Sequence, residues 1–175
     1  MKQDTPDILI RPAHSTEQKP LEALQLRSSL ENEGDRAFLM ANPDVIQLPL
    51  QQIQDGLVFV AELNGIVVGF VALKVYAPRK MELEGLFIEP GHWRLGIGRR
   101  LVAHAIEVSR SHAARTMIVF ANPHADGFYR RVGFTKEGEI TVESQTAFVM
   151  SKDLRRRLRV HRAAAAPSHA RTHRS

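Results

Sequence analysis

Apolar positions along the first 150 residues recur with two different periods, and each change of period marks an element. Ile8-Leu9-Ile10-Arg11 predicts a short opening strand closed by Pro12. Residues 17–32 carry helical spacing, with Leu21, Leu24 and Leu30 turned inward. Asn42-Pro43-Asp44 interrupts the pattern, and 44–54 predicts a second helix. Runs 57–63 and 66–75 read as strands joined at Asn64-Gly65. That dipeptide accepts positive φ at both turn positions, which predicts an antiparallel hairpin. Pro78 ends the second run.

Met81 to Ile88 predicts the next strand, with Glu82, Glu84, Leu86 and Ile88 on one face and Leu83, Gly85 and Phe87 on the other. A helix over 98–113 is expected to bury Leu101, Val102, Ala105, Ile106 and Val108. The continuous apolar run 116–120 reads as a buried strand. Asn122-Pro123 then resembles a helix cap with proline at the first helical position. That helix carries Phe128 and Tyr129 and stops at Gly133, a residue suited to the left-handed end of a helix. Phe134 onward and 146–150 supply closing strands. The interleaving of helices with hairpin-linked strands gives an α+β (mixed α/β) domain.

The most informative segment joins the strand 81–88 to the helix after it. Pro90 ends the strand, Gly96 and Gly98 follow, and the helix begins. Glycines at such a turn let a ligand approach the backbone, and the helix start offers unpaired N–H groups and a positive dipole end. Phosphate is the usual guest. Arg94, Arg99 and Arg100 place positive charge at the rim. Two phosphate loops are excluded by their own requirements. The dinucleotide fingerprint needs a third glycine where Leu101 stands, and the triphosphate loop needs Gly-Lys-Ser/Thr, which the chain lacks.

The segment Trp93-Arg94-Leu95-Gly96-Ile97-Gly98 instead resembles the acetyl-coenzyme A loop of the GNAT superfamily of N-acetyltransferases. That motif reads Arg or Gln, any two residues, Gly, any residue, then Gly or Ala. Trp93 departs from it, standing where Arg or Gln is usual. A second resemblance lies about 24 residues on, where Asn122, Ala125, Phe128-Tyr129 and Gly133-Phe134 keep a spacing common in the family. The resemblance covers about Ile8 to Leu154. It implies a mostly antiparallel central sheet of six to seven strands, splayed in the middle, with helices on both faces.

It also implies acetyl-coenzyme A as co-substrate, with no metal. Arg94, Leu95, Gly96, Ile97, Gly98 and Arg99 would hold the diphosphate, and backbone at Leu86, Phe87 and Ile88 would pair with the pantetheine arm. Asn122 would reach the coenzyme by its amide, and Tyr129 would stand beside the sulfur as general acid. Family members often draw a general base from the strand, which points to Glu84, with Glu82 as the alternative. The acceptor would be a small-molecule or peptide primary amine, met by segments near 25–45 and 137–146. Glu31, Glu33, Asp35 and Asp44 there offer negative charge to a cationic amine.

Composition narrows this further. Cysteine is absent, which removes disulfides, thiolate metal sites and an acetyl-cysteine intermediate. Direct attack in a ternary complex is then the expected route. The eight histidines form no strong metal constellation; His169 and His173 alone have helical spacing within the terminal segment. No apolar run approaches the ~20 residues needed to span a bilayer, and the first residues lack a signal-peptide core. A cytoplasmic protein with no membrane partner is expected.

The net charge of +5 comes from one end. Seven arginines lie at 155 or beyond with no acid among them, which leaves −2 on residues 1–154. Two units are therefore expected, a GNAT acetyltransferase domain over 1–154 and a disordered basic tail over 155–175. Two readings from other classes also fit. A coenzyme A-binding regulatory module without catalysis would keep the loop, and a nucleic-acid binder would act through the tail. A homodimer remains open.

Overall fold

The computed structural model describes residues 7–142 and 145–155, so the basic tail lies, apart from Arg155, outside the described residues. Seven strands form one sheet: β1 (Ile8–Pro12), β2 (Val58–Leu63), β3 (Ile66–Ala77), β4 (Lys80–Ile88), β5 (Thr116–Ala121), β6 (Thr135–Val142) and β7 (Gln145–Asp153). Their order is β1-β2-β3-β4-β5-β7-β6, and every neighbouring pair is antiparallel except β4 and β5. Asn64 (φ 51°) and Gly65 (φ 79°) form the expected tight turn between β2 and β3. Val58 to Ala61 are all buried, as in a strand covered on both faces.

Helices cover both faces. On one, Val71, Leu73, Met81 and Leu83 pack against Ile97, Leu101, Val102 and Ala105 of α4 (Ile97–Ser111). On the other, Val58, Val60, Phe70 and Ala72 pack with Leu21 and Leu24 of α1 (Gln18–Leu30). Leu30 and Val108, expected inside, are only half-buried, whereas Ser109 is fully buried. Helix α5 (Asp126–Arg131) places Tyr129 in the α4-side core.

The first helical region is more divided than its pattern predicts. After α1, Asn32 turns extended and its side chain accepts a bond from the Gly34 N–H, which starts α2 (Glu33–Ala41). The helix expected over 44–54 is broken. A 3₁₀ turn covers Pro43–Val45, and α3 is confined to Leu50–Gln54. Ile46 is extended and Pro49 disfavours helical backbone at Leu48, so no helix spans 46–49.

Strand β4 also departs from simple alternation. Leu73 pairs with Leu83 and Ala72 with Gly85, so Glu84 has no partner on β3 and forms a bulge. The extra residue inverts the face of everything beyond it. Leu86 and Ile88 therefore join Leu83 on the α4 side, and Phe87 packs on Phe70 on the α1 side. The expected grouping of Leu86 and Ile88 with the glutamates is thus corrected. No helix among the described residues is long and apolar enough to cross a membrane.

Candidate active site

The site is built where β4 and β5 part. They pair only at Lys80–Glu82 with Thr116–Ile118, and from Leu83 the outer edge of β4 has no strand beside it. Along this edge the backbone groups alternate in direction. The Glu89 N–H bonds the Val68 carbonyl of β3 at 2.8 Å. The Ile88 carbonyl, in the same peptide unit, must therefore point into the split. By the same alternation the backbone groups of Leu86 and Ile88 face the split, while those of Phe87 face β3. The Trp93 indole N–H donates to the Ile88 carbonyl at 3.0 Å and closes part of the open edge.

Beyond β4 the chain makes a 3₁₀ turn at Pro90–His92 and reverses through Arg94 (φ 64°) and Gly96 (φ 78°). The left-handed backbone at Gly96 favours glycine. A Cβ added there would meet nothing within 4 Å, so the space above the turn is open. Gly98 has a different reason, because a Cβ there would stand 3.3 Å from the Phe128 ring. Gly96 caps α4 without a side-chain bond, and the first intrahelical bond runs from Arg100 N–H to the Gly96 carbonyl. The N–H groups of Ile97, Gly98 and Arg99 are thus left without helical partners.

A cavity of about 420 Å³ lies over this turn, with Arg94, Arg99 and Arg131 in its lining. Among the described residues no carboxylate forms an ion pair with any of the three. Three unpaired cations around unpaired N–H groups make an anion site. The open volume above Gly96 and these donors fit a diphosphate. Leu95 is exposed at the rim, and Arg100 lies outside the lining. Arg131, His92 and Phe128 were missed in the sequence pattern. Phe128 and Arg131 join the cavity because α5 folds back onto the start of α4, a contact that carries no local periodic signal, while His92 lines it from the turn at Pro90–His92.

The cavities continue away from the loop. Trp93 also lines a space of about 790 Å³ bounded by Glu31, Glu33, Asn122 and His124. Asn122 in turn borders a third space, of about 450 Å³, between α1, α2, β5 and β7. Its amide caps the turn that leads into α5, accepting the His124 N–H at 3.0 Å, and its other end donates to Asp35 at 3.4 Å. Arg27 of α1 makes two bonds to Glu89, at 2.7 and 2.9 Å, which fixes the helix against the start of the loop. This pairing holds the Glu89 carboxyl below the usual carboxylate range.

Tyr129 is 7% exposed, with its ring edge-on to Phe128 and Phe134 at 5.2 and 5.5 Å. Burial pushes its phenol well above the ordinary value, so it is protonated at neutral pH. The two glutamates of β4 lie on the opposite face from α4. Glu84 accepts from Gln52 of α3 at 2.7 Å and lies 3.7 Å from the Lys74 ammonium. Burial, with the neighbouring Glu84 charge, raises the Glu82 carboxyl. Glu84 borders a cavity with Gln52 and Lys74 that does not include Asn122, Trp93 or Tyr129. The candidate base and the candidate acid are thus on different sides of β4, while Ile88, Arg94, Gly96, Ile97, Gly98 and Arg99 share one cavity with Trp93 and Asn122 shares the next with Trp93.

Comparisons with known proteins bear on the family and the fold. An uncharacterized N-acetyltransferase of Methanocaldococcus jannaschii is 31% identical over 97 residues, 50% of this chain and 42% of the relative. The chain thus spans less than half the length of that curated relative. Among solved structures, the paiA N-acetyltransferase of Thermoplasma acidophilum, in complex with coenzyme A, superposes with a TM-score of 0.67 at 21% identity. That match covers 84% of this chain and 99% of the other, and shows the shared fold. A nourseothricin acetyltransferase is 29% identical with a TM-score of 0.52, over 56% of this chain and 65% of its own. The sequence profile of the acetyltransferase (GNAT) family matches residues 23–134, the stretch from α1 through the split strands and the glycine turn to α5. On that match and this fold, the chain belongs to the acetyltransferase (GNAT) family.

Proposed function

We propose that the protein moves an acetyl group from acetyl-coenzyme A to a primary amine by direct attack in a ternary complex. One observation carries this reading: an uncapped helix start ringed by unpaired Arg94, Arg99 and Arg131, at the end of a strand whose outer edge lacks a neighbour. When bound, the coenzyme supplies an activated acetyl thioester and a stable leaving group. The N–H groups of Ile97, Gly98 and Arg99 and the three guanidiniums hold its diphosphate. Backbone groups of Leu86 and Ile88 orient the extended arm, as an added strand would be oriented.

The remaining chemistry is proton handling. As the new C–N bond forms and the C–S bond breaks, the amine must lose a proton and the sulfur must be stabilised. Glu84 takes the amine proton, directly or through water, and returns it to solvent. The bulge supports this assignment, because it frees Glu84 from the β3 ladder where β4 leaves β5. A specific observation favours Glu82 as a second reading. Its carboxyl is raised by burial, which strengthens it as a base. Tyr129 keeps its proton at neutral pH and donates a hydrogen bond to the departing sulfur. With no cysteine in the chain, an acetyl-cysteine intermediate has no residue to form on.

The test is an amine-panel assay that follows free thiol from acetyl-coenzyme A together with the acetylated product. Thiol and acetylated amine are expected to appear in equal amounts with at least one acceptor. Tyr129→Phe is expected to slow turnover about tenfold to a thousandfold with coenzyme binding retained. Thiol release without acetylated amine would contradict the proposal.

A further inference from the structure

The cavity between α1, α2, β5 and β7 has apolar walls, among them Phe38, Leu39, Ile46 and Phe120. Among the described residues, Asp35 is the one charged group in its lining. Among the described residues its carboxylate receives neutral amide donors, from Asn32 at 2.5 Å and from Asn122 and Gln145 at 3.4 Å each. The last two are at the long limit of a hydrogen bond. Among the described residues no lysine or arginine forms an ion pair with it. The adjacent Arg36 is engaged with the Leu30 carbonyl instead.

The position of this cavity gives the carboxylate a role. Through Asn122 it adjoins the space that reaches Trp93, and through Trp93 that space adjoins the glycine turn. The run of cavities is cationic at the turn, with Arg94, Arg99 and Arg131. Beyond Trp93 it holds Glu31, Glu33, Asp35 and His124 and, among the described residues, no lysine or arginine in its lining. An anionic carboxylate acceptor entering this end would meet like charge and, among the described lining residues, no lysine or arginine. A chain with an apolar body and a positive end would cover Phe38 and Phe120 and supply the cationic partner that Asp35 lacks among the described residues.

We propose that the acceptor is a cationic amine with an aliphatic body, whose second positive group docks on Asp35 while its other, neutral amine reacts at the split. This rests on the acetyltransferase reading given above, and it adds the charge and shape of the substrate. Asp35 then acts as a specificity residue and leaves the bond-making step to other groups. A charge-assisted bond in a partly apolar cavity is expected to favour the cationic acceptor about tenfold or more.

Three acceptors of equal length separate the possibilities: hexane-1,6-diamine, hexylamine and 6-aminohexanoate. Their reacting amines are alike, and their far ends are cationic, neutral and anionic. With the full chain, kcat/KM is expected to be highest for the diamine and lowest for the aminohexanoate. In Asp35→Asn the ratio of diamine to hexylamine is expected to fall to near one, mainly through KM. A purely structural role for Asp35 would move both acceptors together and leave the ratio unchanged, which would overturn the proposal. So would a preference for 6-aminohexanoate. Calorimetric titration of the diamine into the coenzyme A-bound protein reads the same contrast without turnover. Weaker binding of the diamine to Asp35→Asn supports the docking site even if acetylation is not seen, and equal binding contradicts it.

Discussion

Glu82 and Glu84 stand two residues apart on one strand, yet their surroundings separate them. Glu84 is tied to Gln52 and Lys74, while Glu82 is the carboxyl that burial raises. If Glu84 is the base, Glu84→Gln is expected to lose rate near neutral pH and regain part of it as pH rises toward the amine's own value, because more acceptor is then neutral. Glu82→Gln should show little of this; a deficit there instead would move the role to Glu82. Stability supplies an independent readout. A carboxyl whose folded value is raised favours folding while protonated, and that contribution is lost as pH rises through the raised value. Glu82→Gln should therefore gain in Tm over the native protein on going from acid to neutral pH, measured by thermal melts across that range. The two acids were visible in the sequence. Their separation was not, because it depends on a bulge and on α3, neither of which leaves a periodic mark.

Among the elements, those with long regular patterns were legible. The hairpin at Asn64-Gly65, the strand leading to the loop and the amphipathic α4 all follow from spacing and turn chemistry. The region 33–49 was not legible. Asn32 restarts a helix by capping, and Pro49 breaks the next, and both are single-residue events inside a weak pattern. Helix α4 matters most to the site, since its start carries the open N–H groups and its buried face fixes their position. Leu101 is 0% exposed between the sheet and this helix. Leu101→Ala is expected to cost about 2–5 kcal/mol, from lost burial and the cavity left behind. Denaturant unfolding that shows under half a kcal/mol would mean that α4 is not anchored as described.

At the scale of the whole molecule, one sheet is opened between β4 and β5, and the cavities that run from the glycine turn to Asp35 carry opposite charges at their two ends. Arg94, Arg99 and Arg131 border the glycine turn, and Glu31, Glu33 and Asp35 border the far cavities. The residues of the turn could be read from the chain because their spacing is local. The track from the turn to Asp35 could not, because it joins residues from α1, α2, β5 and β7 that meet only when the sheet forms. Every proposed step requires the turn to seat the coenzyme. Titration calorimetry of acetyl-coenzyme A into the native protein and into Gly96→Asp, with folding checked by circular dichroism, addresses it most directly. The substitution adds a side chain at a left-handed position and a negative charge in the open space above it. The account predicts saturable binding to the native protein and its loss, by at least about a hundredfold in Kd, in a folded Gly96→Asp. Unaltered affinity in that folded variant would contradict it.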